Sequence, residues 1–171
     1  QIEHYPAIFG GEKTYPWQFE ALKALGPRGA RVALKAANGS GKTSLVVVWA
    51  ILFHMMRFAG SQTVVTAGVY RQLSEVLMPE LRKKIAALGG EAMGWEITEN
   101  RIRYTAPGIT VPSLCVLFSA TDAEKAEGWH ARGLPGQPPN LLFIVDEGKS
   151  VPDQVYQAME RCQPTRVLVV S

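Results

Sequence analysis

AANGSGKT, residues 36–43, reads as a phosphate-binding loop whose first glycine has been replaced. The full pattern, G-x-x-x-x-G-K-[ST], wraps the backbone N–H groups of a helix N-terminus around phosphate oxygens, sends a lysine to the terminal phosphates and places a hydroxyl on Mg²⁺. Asn38, Gly39, Ser40, Gly41, Lys42 and Thr43 supply these parts, while Ala36 stands where the first glycine is usual. That glycine eases the turn out of the preceding strand, so alanine can serve there if its backbone stays extended. Taken alone, the tripeptide Gly41-Lys42-Thr43 reads equally well as an ordinary helix start.

The surroundings favour the phosphate loop. RVALKA (31–36) reads as a short strand before it, and residues 42–58 read as a helix apolar nearly all round, which belongs in a core. Downstream, LLFIVDE (141–147) is five apolar residues ending in two acids. Carboxylates at the carboxyl end of a core strand lie where an α/β sheet places its ligand chemistry. Asp146 is therefore a candidate to hold Mg²⁺ through its water shell, and Glu147 to orient or deprotonate an attacking water. Without the loop, the same pair would read as a solvated strand end or a helix cap. Together they point to ATP and Mg²⁺ as cofactors.

The rest of the chain fits the same architecture. YPWQFEALKALG (15–26) puts Trp17, Ala21, Leu22 and Leu25 on one helical face, and QTVVTA (62–67) is a strand. VYRQLSEVLMPELRKKIAALGG carries a long amphipathic helix that Pro79 is expected to kink or divide. WEITENRIRYTA alternates apolar and polar residues about Glu99-Asn100, as an inserted β-hairpin would, and LCVLFSA (114–120) is a further strand. A helix near residues 152–161 and a last strand, RVLVVS, close the chain. Val-, Ile- and Leu-rich strands alternating with helices predict an α/β domain with a mostly parallel sheet covered on both faces.

Bulk properties narrow the function without naming it. A length of 171 residues, 47% of them hydrophobic, suits one domain with one core. Eighteen Lys and Arg against fifteen Asp and Glu give a net charge of +3, which permits nucleic-acid contact without demanding it. Cys115 and Cys162 form no C-x-x-C and no cluster with His4, His54 or His130, so neither a disulfide framework nor a zinc site is suggested and a reducing, cytoplasmic setting is expected. The apolar run 45–53 is far too short to span a membrane. The chain opens on Gln1 and closes on Ser171 at the end of an apolar strand, as a fragment of a longer protein would.

With these segments in order, the sequence resembles the ATPase domain of the large terminase subunits of tailed bacteriophages. NGSGKTS with its apolar helix, VVTAGVYRQLSEVLMPELRK, AEGWHARG, LLFIVDEGKSVPDQVYQAME and VLVVS follow the family's order at similar spacing, and the similarity covers most of residues 1–171. TAGVYRQ is similar to the family's TAPT-x-x-Q segment, and EGWHA to its G-x-H element. Two departures stand out: Gly148 follows Asp-Glu where many relatives have alanine, and the loop lacks the arginine that some terminases carry within it.

The resemblance implies a P-loop NTPase with a RecA-like sheet, hydrolysing ATP to drive double-stranded DNA into a procapsid. Its partners would be the DNA, further copies in a ring on the portal, and the small terminase subunit, in the cytoplasm of the infected bacterium, with no membrane. A metal-dependent nuclease domain would follow Ser171. By the same resemblance, Gln18, within Tyr15-Pro16-Trp17-Gln18, would recognise adenine, whose donor and acceptor its amide can pair. Ser171 would belong to the coupling motif that senses the γ-phosphate. Arg132, in the loop before the acidic strand, would be an arginine finger neutralising charge in the transition state.

Several alternatives remain open on the residues alone. Gln18, Ser171 and Arg132 each read also as ordinary surface or terminal residues. Arg71, Arg82, Lys83 and Lys84 form a basic stripe that is either a solvated helix face or a contact to DNA phosphates, as are Arg101 and Arg103. His54 reads as a satisfied core residue rather than a ligand, and His130 as a shaper of its loop. A helicase-like or other RecA-like nucleic-acid-dependent ATPase would share the loop, Asp146, Glu147 and the Gln18 region. A nucleotide-binding module that no longer hydrolyses ATP is the non-enzyme alternative.

Overall fold

The computed structural model describes residues 14–120, 129 and 136–171. Seven strands form one sheet: β1 (Arg31–Leu34), β2 (Gln62–Ala67), β3 (Trp95–Ile97), β4 (Arg101–Tyr104), β5 (Ser113–Ser119), β6 (Leu141–Asp146) and β7 (Arg166–Val170). Their order across the sheet is β1-β7-β6-β2-β5-β4-β3. The first five in that order run parallel, whereas β4 pairs antiparallel with β5 and with β3. The hairpin foreseen around Glu99-Asn100 thus extends the sheet at one edge.

Helices cover both faces, as the apolar strands require. On β6 the alternation of a pleated strand is explicit: Leu142 and Ile144 pack with the helix that follows the loop, while Leu141, Phe143 and Val145 pack on the opposite face against Val155, Ala158 and Met159. All six β6 residues are buried. Helix α1 (Pro16–Ala24) begins with a proline in its first turn and a reciprocal cap, in which the Tyr15 N–H donates to Gln18 Oε1 at 2.8 Å. Helix α2 is wound as π-helix over Lys42–Val47 and as α-helix over Val48–Arg57. Helix α3 repeats this, with a π segment (Gln72–Leu77) leading into an α segment (Met78–Ala87). Pro79 does not divide α3. Its missing N–H falls where the winding changes, so the wider turn absorbs the lost hydrogen bond. Helix α4 (Asp153–Arg161) lies on the other face. Among the described residues no helix is long and apolar enough to cross a membrane.

The parallel strands share a direction, so their carboxyl ends collect along one edge. Leu34 leads into the phosphate loop, Ala67 into α3, Asp146 into Glu147, and Val170 into Ser171. Phe143, fully buried between β6 and α4, anchors the second face of this frame. Phe143→Ala is expected to cost about 3–5 kcal/mol of stability, from lost burial and the cavity left behind. Urea denaturation of both proteins measures it.

Candidate functional site

The loop closes without its first glycine because the chain does not need one there. Ala36 is not among the residues with positive φ, and its N–H donates to the Ser171 carbonyl at 3.0 Å, while the Ser171 N–H donates to the Leu34 carbonyl at 2.9 Å. Ala36 therefore continues the β1–β7 ladder. The left-handed turns fall instead on Gly39 (φ 73°) and Gly41 (φ 82°), where a side chain would be strained. At Gly41 a Cβ would also press on Gln18 Nε2 at 3.0 Å.

Lys42 and Thr43 open α2 directly from this turn. The Lys42 ammonium lies across the loop, donating to the Ala36 carbonyl at 2.9 Å and reaching the Ala37 carbonyl and Asn38 Oδ1 at 3.4 Å each. No carboxylate is among these partners, so the charge is held by dipoles and stays available to an anion. The hydroxyl of Thr43 donates to Asp146 Oδ2 at 3.1 Å, joining α2 to the end of β6. That pair, a hydroxyl against a buried carboxylate beside a phosphate-type loop, is a donor set suited to a hydrated divalent ion.

Asp146 is fully buried. Desolvation raises its pKa above the usual carboxylate value; the hydrogen bond from Thr43 opposes this, the charge of Glu147 adds to it, and hydrogen bonds from the Glu147 N–H and the Gln72 side chain oppose it again. Gln72 is a contact of the candidate site that residue-by-residue reading passed over. Its signal lay in the TAGVYRQ segment, whose last residue it is.

Glu147 adopts a left-handed backbone (φ 52°), uncommon for a side chain of this size. Its peptide is pinned from both sides: the N–H donates to Asp146 Oδ1 at 3.1 Å, and the carbonyl accepts from Ser150 N–H and Oγ at 2.9 and 2.8 Å. Such over-determination is what allows a strained residue to persist. Gly148 follows where space is tight: a Cβ there would lie 2.8 Å from Val169 Cγ1 and 2.9 Å from the Tyr156 hydroxyl, so a larger residue would require those side chains to shift. Tyr156 itself donates to the Gly148 carbonyl at 3.0 Å. The departure from alanine after Asp-Glu is thus explained by the close approach of β7 and α4.

Other candidates sit differently from expectation. Gln18 is buried, and its amide serves the protein, accepting from Tyr15 N–H and donating to the Ser40 carbonyl at 3.0 Å. It braces the loop from behind. The basic stripe is dispersed: Lys84 is buried, Arg71 pairs with Glu75 at 2.7 Å, and Arg82 donates to the Thr98 carbonyl at 3.0 Å. Arg103 lies 3.7 Å from Glu96. His54 is half-satisfied, with Nδ1 3.0 Å from Thr63 Oγ1 and Nε2 buried with no hydrogen-bond partner. Arg132 and His130 lie outside the described residues.

No family model matches the sequence, and no curated protein is significantly similar to it. Solved structures are similar in fold. The large terminase from a thermophilic bacteriophage superposes with a TM-score of 0.69 at 14% identity over 93% of this chain, which spans 39% of that protein. The same terminase in complex with ATP-gamma-S gives a TM-score of 0.67 at 14% identity over 92% of this chain and 38% of that one. The large terminase ATPase domain of Thermus phage P74-26 gives 0.65 at 21% identity over 98% of this chain and 67% of that one.

The buried carboxylate has a consequence for stability. Between the ordinary aspartate pKa and the raised value in the folded state, the folded protein binds more protons at Asp146 than the unfolded chain, so this contribution to stability falls as pH rises through that window. Asp146→Asn is therefore expected to raise the Tm of the nucleotide-free protein at pH 7.5, with the gain shrinking as pH falls towards the ordinary aspartate value. Thermal melts of both proteins across pH check it; a gain that grows in acid would contradict it. The fold itself is that of the large terminase ATPase domains, a mostly parallel, RecA-like P-loop sheet flanked by helices.

Proposed function

We propose that this chain is the ATPase domain of a viral DNA-packaging motor, hydrolysing ATP to drive double-stranded DNA into a procapsid. The observation that carries the reading is the Thr43–Asp146 contact next in sequence to Lys42, whose ammonium lies across the loop, an arrangement suited to a nucleotide and a metal and built from residues 103 positions apart in sequence. Its setting in the terminase ATPase fold, and the thermophilic phage terminase solved with ATP-gamma-S, support ATP as the ligand.

In this reading the N–H groups of residues 39–43 and the Lys42 ammonium bind the β- and γ-phosphates, Lys42 exchanging its carbonyl partners for phosphate oxygens. Thr43 and Asp146 would hold Mg²⁺, which would supply charge neutralisation at those oxygens. A dication held beside it through its water shell would keep Asp146 ionised despite its burial. Glu147, fixed by its pinned peptide at the end of β6, orients and deprotonates the attacking water. Gln18 has one N–H and one lone pair beyond its present contacts, and recognition of adenine by them would require its buried amide to be uncovered. Ser171, bonded through its backbone to both Leu34 and Ala36, would sense the γ-phosphate as part of the coupling motif. A ring of copies on the portal, the small terminase subunit, a nuclease domain after Ser171 and the cytoplasm of an infected bacterium complete the proposal.

Lys42→Ala deletes the cation placed at the phosphates and is expected to abolish nucleotide binding or turnover, measured by phosphate release and equilibrium titration. Near-normal hydrolysis would overturn the site. Glu147→Gln, nearly isosteric but not basic, should keep ATP binding while lowering kcat by roughly 10²-fold or more. Collapse of binding with turnover of bound ATP intact would contradict the assigned roles.

Arg132 is proposed to act in trans on ATP held by the next subunit, because the loop carries no arginine of its own. Arg132→Ala and Glu147→Gln proteins should each be inactive, yet mixed rings should recover turnover at interfaces that join an intact Glu147 to a neighbour's intact Arg132. Failure of the mixture, where wild-type subunits mixed with either variant stay active, would rule out the trans role.

A further inference from the structure

At the edge of the sheet opposite the phosphate loop, where α1 and α2 end and β6 and β7 begin, lies a cavity of about 90 Å³. Its apolar wall includes Leu25, Phe53 and Phe58, and its polar wall includes His54, Arg57 and Arg166. The Arg166 guanidinium sits 4.6 Å over the Phe58 ring and donates to the Gly26 carbonyl at 3.1 Å and to Asn140 Oδ1 at 3.2 Å. Arg57 approaches the same ring at 5.6 Å. Arg28 stands close by, donating to the Pro139 carbonyl.

Among the described residues, no carboxylate pairs with Arg28, Arg57 or Arg166; their partners are carbonyls, an amide and a ring. Among the described residues this positive charge has no carboxylate partner, and the nearby Arg28 and Arg57 charges reinforce burial in lowering the pKa of Arg166. A second, independent observation comes from His54. It is 4% exposed, and its Nε2 has no hydrogen-bond partner although it belongs to a residue lining the cavity. Burial, then the charge of Arg166, lowers its pKa to about 3, so the ring is neutral. If the Thr63 hydroxyl donates to Nδ1, Nε2 carries the proton and is an unused donor.

We propose that this cavity is a carboxylate-binding site that accepts a glutamate side chain from an acidic segment of a partner polypeptide. The guanidinium of Arg57 and the Nε2–H of His54 would receive the carboxylate, with Arg166 behind them, and the aliphatic stem would lie against Leu25, Phe53 and Phe58. The apolar wall and the small volume favour a side chain over a nucleic-acid backbone. Arg166 is only 6% exposed and His54 4%, so a phosphodiester on a duplex surface does not reach them, whereas a single side chain could enter the cavity that both residues line. The site is separate from the nucleotide loop and does not rest on the proposed ATPase activity.

The test uses the whole chain labelled with ¹⁵N-histidine, the His54 resonance being identified by removing the other two through His4→Gln and His130→Gln. The probes are a capped hexapeptide of alternating glutamate and leucine, inorganic phosphate and a twelve-base-pair DNA duplex. The expected result is a saturable shift of the His54 resonance by the peptide, weakened at least tenfold by Arg57→Ala and less by Arg57→Lys, with ATP-gamma-S binding unchanged. Arg57 is exposed, so the variant should keep its fold, which its amide spectrum verifies. No saturable shift with the peptide, a shift indifferent to Arg57→Ala, or equal or stronger shifts from phosphate or duplex would each overturn the proposal.

Discussion

The hydrogen bond from Thr43 to Asp146 is the contact on which the rest of the molecule is organised. It spans 103 positions of sequence and fastens the start of α2 to the end of β6. For the two to meet, β6 must run parallel to β1 with β7 between them, and α2 must leave the loop at once and pack on the sheet. A fully buried carboxylate is costly unless hydrogen-bonded, and here the side chains of Thr43 and Gln72 and the backbone of Glu147 share that task. The elements that bring these three donors together are α2, α3 and the turn after β6, so the cost of burying one charge specifies the arrangement of three connections.

The same logic explains the tightness around Glu147. Ser150 anchors its carbonyl, Tyr156 anchors the carbonyl of Gly148, and a Cβ on Gly68 would meet Ser150 at once. The turns after β2 and β6 are thus interlocked, with α4 and β7 closing them from the far side. A site built this way has little freedom to drift, which is what preorganised chemistry on phosphates requires.

Much of this was legible in the residues. The apolar strands, the Gly-Lys-Thr turn and the acids after LLFIV define the β1, α2 and β6 framework, because burial on both faces leaves a continuous apolar signal and the loop leaves a nearly fixed one. The strand order was not legible, since parallel strands of similar composition carry no mark of which neighbour they choose. Nor was the fate of Lys84, buried on a helix whose charges read as a solvated stripe, or of Gln18, whose amide is turned inward to Ser40. Side chains of that length bury or extend according to tertiary neighbours that local sequence does not name. Ala36 is the instructive case: the backbone there continues a β ladder instead of turning, so the place of the usual first glycine asks for no left-handed residue.

The proposed function requires a loop beginning with alanine to be a competent site for Mg²⁺ and nucleotide. Calorimetric titration of the unaltered chain with ATP-gamma-S, in Mg²⁺ and again in EDTA, tests it most directly. The expected result is saturable binding of one nucleotide per chain, displaced by ADP and weakened when Mg²⁺ is withheld. Absence of binding at millimolar nucleotide, or binding indifferent to both Mg²⁺ and ADP, would contradict it.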